Sequence, residues 1–160
     1  MAGNTALPIT VTGKAKLEDE LKRLINTERQ AVIRAIEEAR AHGDISENAE
    51  YDAAKERQSL IEGRIGEIQG QLAGAEVVDP ATLKGDRVVF GAHVELKDTE
   101  SEEEFTYQIV GVDEADVKEG RISILSPLAR SLIAKRVGDV VTVHSPKADR
   151  EFEITKLFFK

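Results

Sequence analysis

The chain of 160 residues contains no cysteine. Disulfides, thiolate nucleophiles and cysteine-based zinc sites are therefore excluded together. Three dispersed histidines are too few for a histidine-rich metal site, so any metal chemistry falls to carboxylates. No apolar run approaches eighteen residues, and the opening MAGNTALPIT lacks the basic and apolar regions of a signal peptide, which leads us to expect a cytoplasmic protein with no membrane role. Basic charge is also scarce. The net charge is −8, with 10 Lys+Arg against 15 Asp+Glu in residues 1–79 and 12 against 15 in residues 80–160. Autonomous binding to duplex DNA needs a concentrated basic face that displaces counterions, so a nucleic-acid role would have to run through a partner.

What remains is an ordinary globular composition, 41% apolar and 32% charged, long enough for one domain or two small ones. From Thr12, expected as an N-cap, Leu17, Leu21, Leu24, Ile25, Val32, Ile36 and Ala39 recur at helical spacings. This predicts an amphipathic helix from about Gly13 to Ala41, closed by His42 and Gly43, where His42 complements the helix dipole and needs no catalytic role. Ala54, Ile61, Ile65, Ile68, Leu72 and Ala75 form a second stripe. A returning helix from Glu47 to Ala75 would measure about 43 Å, too long for so small a protein to cover. Two such helices on a short connection predict a projecting antiparallel hairpin. Ala35, Ala39, Ala41, Ala49, Ala53 and Ala54 would line its narrow end, and the larger Leu21, Leu24, Ile65, Ile68 and Leu72 its other end. Gly63, Gly66 and Gly70 weaken the returning arm.

The helical period ends at Val77 to Pro80, and Pro80 with Gly85-Asp86 reads as a linker, dividing the chain into domains at 1–79 and 80–160. Beyond it, Arg87–Lys97, Glu104–Val112, Arg121–Leu125, Val140–Ser145 and Glu151–Phe159 are β-rich runs separated by turn signals. Ser126-Pro127 starts a short helix through about Lys135. An α+β second domain with an antiparallel sheet follows, and the acidic run Glu100, Glu102, Glu103, Glu104 is a solvated hairpin turn.

Residues 43–51, GDISENAEY, lie where one helix stops and the next begins. Asp44 and Glu47 have two readings: capping acids at the start of the second helix, or two carboxylates presented at the end of a thin rod. Two carboxylates are too few for a tight Mg²⁺ site. They amount to half of one, which a partner holding a first metal and a phosphodiester could complete.

The nine-residue segment closely resembles the tip motif of the bacterial Gre-family transcript cleavage factors, of the GreA type. The likeness extends over essentially the whole chain, through Pro8-Ile9-Thr10, Gly13, Lys16-Leu17, Ala35 to Gly43 (AIEEARAHG), Glu62-Gly63-Arg64-Ile65, Ser126-Pro127-Leu128-Ala129-Arg130 and Gly138-Asp139. One departure is Gln30, where many relatives carry proline, so less bending of the first helix is expected there. The resemblance implies an N-terminal antiparallel coiled coil and a C-terminal FKBP-like domain that docks on RNA polymerase at its secondary channel. It implies that Asp44 and Glu47 hold a second Mg²⁺ and the attacking water inside that complex, so that the polymerase hydrolyses its own backtracked transcript. Ser46 is implied to orient that water, or is an ordinary helix-start serine. Arg40 and Lys55 match a small basic patch near the RNA 3′ end, or are a solvated helix face. The factor would be an accessory to catalysis and a monomer, with no tight metal site of its own. Its fold does not imply prolyl isomerase activity. Two other readings are a channel binder of the same architecture that does not cleave, and a free-standing adaptor in which the acids are only caps.

Overall fold

In a computed structural model that describes residues 7–43 and 48–160, the chain forms two compact bodies. One comprises Lys14–Ala75, and the other joins the segment ending at Gly13 to Glu76–Lys160. The grouping of the N-terminal segment with the second half follows from a strand pairing that local periodicity could not reveal. Strand β1, Pro8–Thr10, runs parallel to β2, Glu76–Val78, where the helical period ends.

Helix α1, Val11–Arg23, starts two residues earlier than the spacing predicts. Its cap is Thr10 rather than Thr12: the Thr10 hydroxyl accepts the Gly13 N–H at 3.0 Å, satisfying an otherwise unpaired first-turn amide. The outgoing arm is not one continuous α-helix. A π-helical turn, Leu24–Glu28, separates α1 from α2, Arg29–Ala41, and the Arg29 N–H reaches back five residues to the Leu24 carbonyl. The stripe explains it. Leu17, Leu24, Val32, Ile36 and Ala39 are buried, yet Leu24 and Val32 stand eight apart where a heptad would put seven. One extra residue rotates a stripe by about 100° on an unbroken helix, and a wider π turn absorbs it so that both halves face the same partner. Gln30 is an ordinary exposed residue of α2, and the irregularity falls just before it.

The returning arm is α3, Ala49–Gly74, shorter at both ends than expected and about 39 Å long. It buries Ala54, Ile61, Ile65 and Ile68 against the outgoing arm. Of the alanines expected near the bend, Ala39 and Ala54 are buried and Ala35 is half-buried. Ala41, Ala49 and Ala53 face solvent, so the close seam is narrower in residues than the sequence suggests. Gly63, Gly66 and Gly70 are exposed, and a Cβ at any of them would meet nothing within 4 Å. Ion pairs bridge the arms: Arg64 with Glu20, Arg29 with Glu62, and Arg57 with Glu28.

The second body is α+β, built on a five-stranded sheet of order β5-β4-β3-β7-β6, from β3, His93–Asp98; β4, Glu104–Val110; β5, Arg121–Ser123; β6, Val140–Val143; and β7, Arg150–Phe158. It is antiparallel except that β5 joins β4 in parallel, a departure from the expected all-antiparallel sheet. The expected first run also begins late. Arg87–Ala92 is not part of β3, because the Val88 backbone pairs instead with Ala134 and Lys135 after the short helix α4, Pro127–Leu132. Ser126 caps α4 through the Ala129 N–H, as its sequence predicts. The core alternates along the strands, with Val94, Leu96, Ile109, Val141, Phe152 and Ile154 packed under Ala129 and Leu132 of α4. At the acidic turn, buried Asp98 accepts the Glu100 and Ser101 amides at 2.9 and 3.1 Å, and the glutamates stay in solvent.

Candidate functional site: the bend of the hairpin

The described residues of the outgoing arm end at Gly43, and those of the returning arm begin at Asn48. On the outgoing side, the His42 and Gly43 N–H groups donate to the Ala39 and Arg40 carbonyls, each at 3.3 Å. Gly43 leaves the helix at φ +113°, a conformation that glycine adopts without the Cβ penalty other residues carry. His42 is exposed at this C-terminus, consistent with a closing role.

On the returning side, the N-cap of α3 is Asn48. Its Oδ1 accepts the Tyr51 N–H at 3.1 Å, and its Nδ2 donates to the Ala39 carbonyl at 2.6 Å, nine residues back on the outgoing arm. Asn48 is thus the residue that caps α3. Glu50 and Asp52 add acids to the first turn, where the helix dipole favours them. Sequence reasoning passed over Asn48, although an asparagine directly before a helical run with early acids is an N-cap signature.

Asp44, Ser46 and Glu47 lie outside the described residues. The basic residues expected beside them are described. Arg40 is exposed on the last turn of α2, its guanidinium 5.9 Å from the centroid of the Tyr51 ring, within range of a weak cation–π contact. Lys55 is exposed one turn further along α3 and donates to Gln58 at 3.1 Å. No ion pair joins either to another described residue. Both cationic groups are exposed on the turns that flank the bend, and among the described residues no contact joins them.

Among the described residues, no group of three or more His, Asp or Glu side chains could hold a metal ion, and no helix is long and apolar enough to cross a membrane. An open polar hollow of about 410 Å³ in the second body is lined by Thr99, Glu100, Thr142, Asp149, Arg150 and Glu151.

Comparison with known proteins gives a consistent result over the whole chain. Residues 7–77 match the family described as "Transcription elongation factor, N-terminal", and residues 83–157 match "Transcription elongation factor, GreA/GreB, C-term". The transcription elongation factor GreA of Acidiphilium cryptum is 60% identical over 95% of this chain and 97% of its own length. That of Ralstonia nicotianae is 58% identical over 94% and 96%. A solved structure, GreA factor homolog 1 (Gfh1) of Thermus thermophilus, is 29% identical with a TM-score of 0.44, covering 94% of this chain and 97% of that one. With both of its halves matched and relatives this similar along nearly their full length, the chain belongs to the GreA/GreB family of transcription elongation factors.

Proposed function

We propose that this chain is an elongation factor that enters the secondary channel of bacterial RNA polymerase and stimulates the polymerase's own Mg²⁺-dependent cleavage of backtracked RNA, rescuing arrested complexes. The observation that carries this reading is the position of the GDISENAEY motif in a member of this family. It straddles the connection between α2, which ends at Ala41, and α3, which begins at Ala49, so in the sequence Asp44 and Glu47 fall between the two arms.

The donor set suits the task. Carboxylate oxygens are hard ligands for Mg²⁺, and two of them leave most of the octahedral shell to phosphate and water. Asp44 and Glu47 would hold the second metal within the complex, which supplies the electrostatic stabilisation and the activated water of two-metal phosphoryl transfer. Ser46 would assist in orienting that water, and Arg40 and Lys55 would face the RNA 3′ end. Catalysis then belongs to the polymerase complex, the isolated factor is an accessory with no tight metal site, and its place of action is the cytoplasm as a monomer.

RNA release from a defined backtracked complex, measured across Mg²⁺ concentrations, tests this. Replacing Asp44 and Glu47 by alanine should abolish stimulated cleavage while polymerase binding survives. Undiminished cleavage by that double variant at ordinary Mg²⁺ would overturn the reading.

A further inference from the structure

Helix ends leave unpaired carbonyls at the C-terminus and unpaired amides at the N-terminus. At this bend one side chain reaches both ends, although the Ala39 carbonyl it meets also accepts the His42 N–H at 3.3 Å. Asn48 Oδ1 takes the Tyr51 amide of the returning arm, while Asn48 Nδ2 takes the Ala39 carbonyl of the outgoing arm. Among good capping residues only asparagine can do this, since aspartate offers acceptors alone and serine is too short to span both arms. The Arg40 guanidinium over the Tyr51 ring joins the same two turns a second time. Asn48 is half-buried and directly follows Glu47 in the sequence.

We propose that Asn48 is a positioning residue for the cleavage reaction: by tying α3 to the Ala39 carbonyl it fixes the span that the two acids bridge. This rests on the function proposed above. The cap and the cross-arm tie are separable chemically, because a cap needs only an acceptor whereas the tie needs the amide donor. Displacement of reacting groups by about 1 Å can cost about a hundredfold in rate, so loss of the tie should register in catalysis even where the helix survives.

The test compares wild type, Asn48→Ser, Asn48→Ala and the Asp44/Glu47 double alanine variant, as full-length chains, for helicity, polymerase affinity and saturated cleavage rate against Mg²⁺. Asn48→Ser retains the cap and should keep wild-type helicity and affinity. Its saturated cleavage should fall by about tenfold or more, with an upward shift in the Mg²⁺ requirement. Asn48→Ala, which loses cap and tie, should fall at least as far. Wild-type rate and Mg²⁺ dependence in Asn48→Ser, with the acid variant inactive, would overturn the role of Asn48 and leave the proposed function standing. Weaker polymerase binding with an unchanged saturated rate would overturn it equally. If the acid variant itself cleaves normally, the functional reading falls and this inference falls with it.

Discussion

Arg64 and Glu20, 44 residues apart in sequence, meet across the hairpin in two hydrogen bonds of 2.8 and 2.9 Å between guanidinium and carboxylate. The bidentate contact with Arg64 is the main reason the Glu20 carboxyl is held below its ordinary range and the guanidinium above its own. Both side chains remain about a third exposed, at 33% and 29%, so solvent screens much of the attraction. A double-mutant cycle on Arg64→Ala and Glu20→Ala, read by urea unfolding, should give a coupling of about 1 kcal/mol that shrinks in high salt. Coupling within error of zero would show that the pair is a surface contact without energetic weight.

The exposed glycines of α3 offer a cleaner stability experiment. Because a Cβ at Gly63 or Gly66 would meet no atom within 4 Å, alanine adds helix propensity without a steric penalty. Each substitution should stabilise the hairpin by about 1 kcal/mol, measured by the far-ultraviolet circular dichroism melt. Destabilisation would mean the returning arm needs glycine for a reason other than space.

If the π turn exists to absorb one surplus residue, removing one should be tolerated. Deletion of exposed Asn26 would bring Leu24 and Val32 to heptad spacing and replace the five-residue turn by ordinary α-helix. Helicity and the thermal midpoint should be retained or rise. Collapse of the hairpin would refute the phase argument.

In the second body, Glu114 is the counterpart of a helix cap made by three donors. Its carboxylate accepts the Thr10 hydroxyl, the Thr10 N–H at 3.1 Å and the Gly111 N–H at 3.0 Å. Glu114→Ala removes them all and should cost about 2–3 kcal/mol, the scale of hydrogen bonds to a charged acceptor. Gly13→Ala should destabilise through the same group, since a Cβ there would overlap the Glu114 carboxyl and push it off these donors. Chemical denaturation of both variants distinguishes these from neutral substitutions.

Acid should weaken the second body in two steps. His93 is held below the ordinary imidazole value by burial and by nearby Lys160, so the folded state favours its neutral form. Asp98 is held below the ordinary carboxylate range by the Ser101 and Glu100 amides and by Arg150. Both folded values are depressed. Their contributions are therefore complete above the unfolded values, about 6.5 and 3.9, and are lost as pH falls through the folded ones. Asp98→Asn should remove the lower step and leave the upper, as followed by urea midpoints between pH 7 and pH 3. An unchanged lower step would assign it to other carboxylates.

The elements legible in the sequence are those whose signal is local. The Ser126 cap of α4, the alternating strand cores and most of the two stripes are found where expected, with Leu21 and Ile25 only half-buried and element ends displaced by a few residues. The misreadings share one origin. Thr12 has the sequence signature of a cap, but the hydroxyl two residues earlier is the one that reaches Gly13, and the surplus residue between Leu24 and Val32 is masked in the sequence because Ile25 supplies a spacing of seven on its own. Similarly, the parallel pairings β1 with β2 and β4 with β5 join short segments whose patterns do not name a partner.

At the bend the same division holds. Sequence alone determined that two long apolar-striped helices are joined by GDISENAEY, because helical period and chain direction are carried by neighbours three and four residues apart. Only the tertiary structure decided that Asn48 closes the bend on Ala39, that Arg40 lies over Tyr51, and that Arg64 meets Glu20. Those contacts depend on which residue of one arm lies opposite which residue of the other. That register is set by packing and by the π turn together, and no local pattern encodes it.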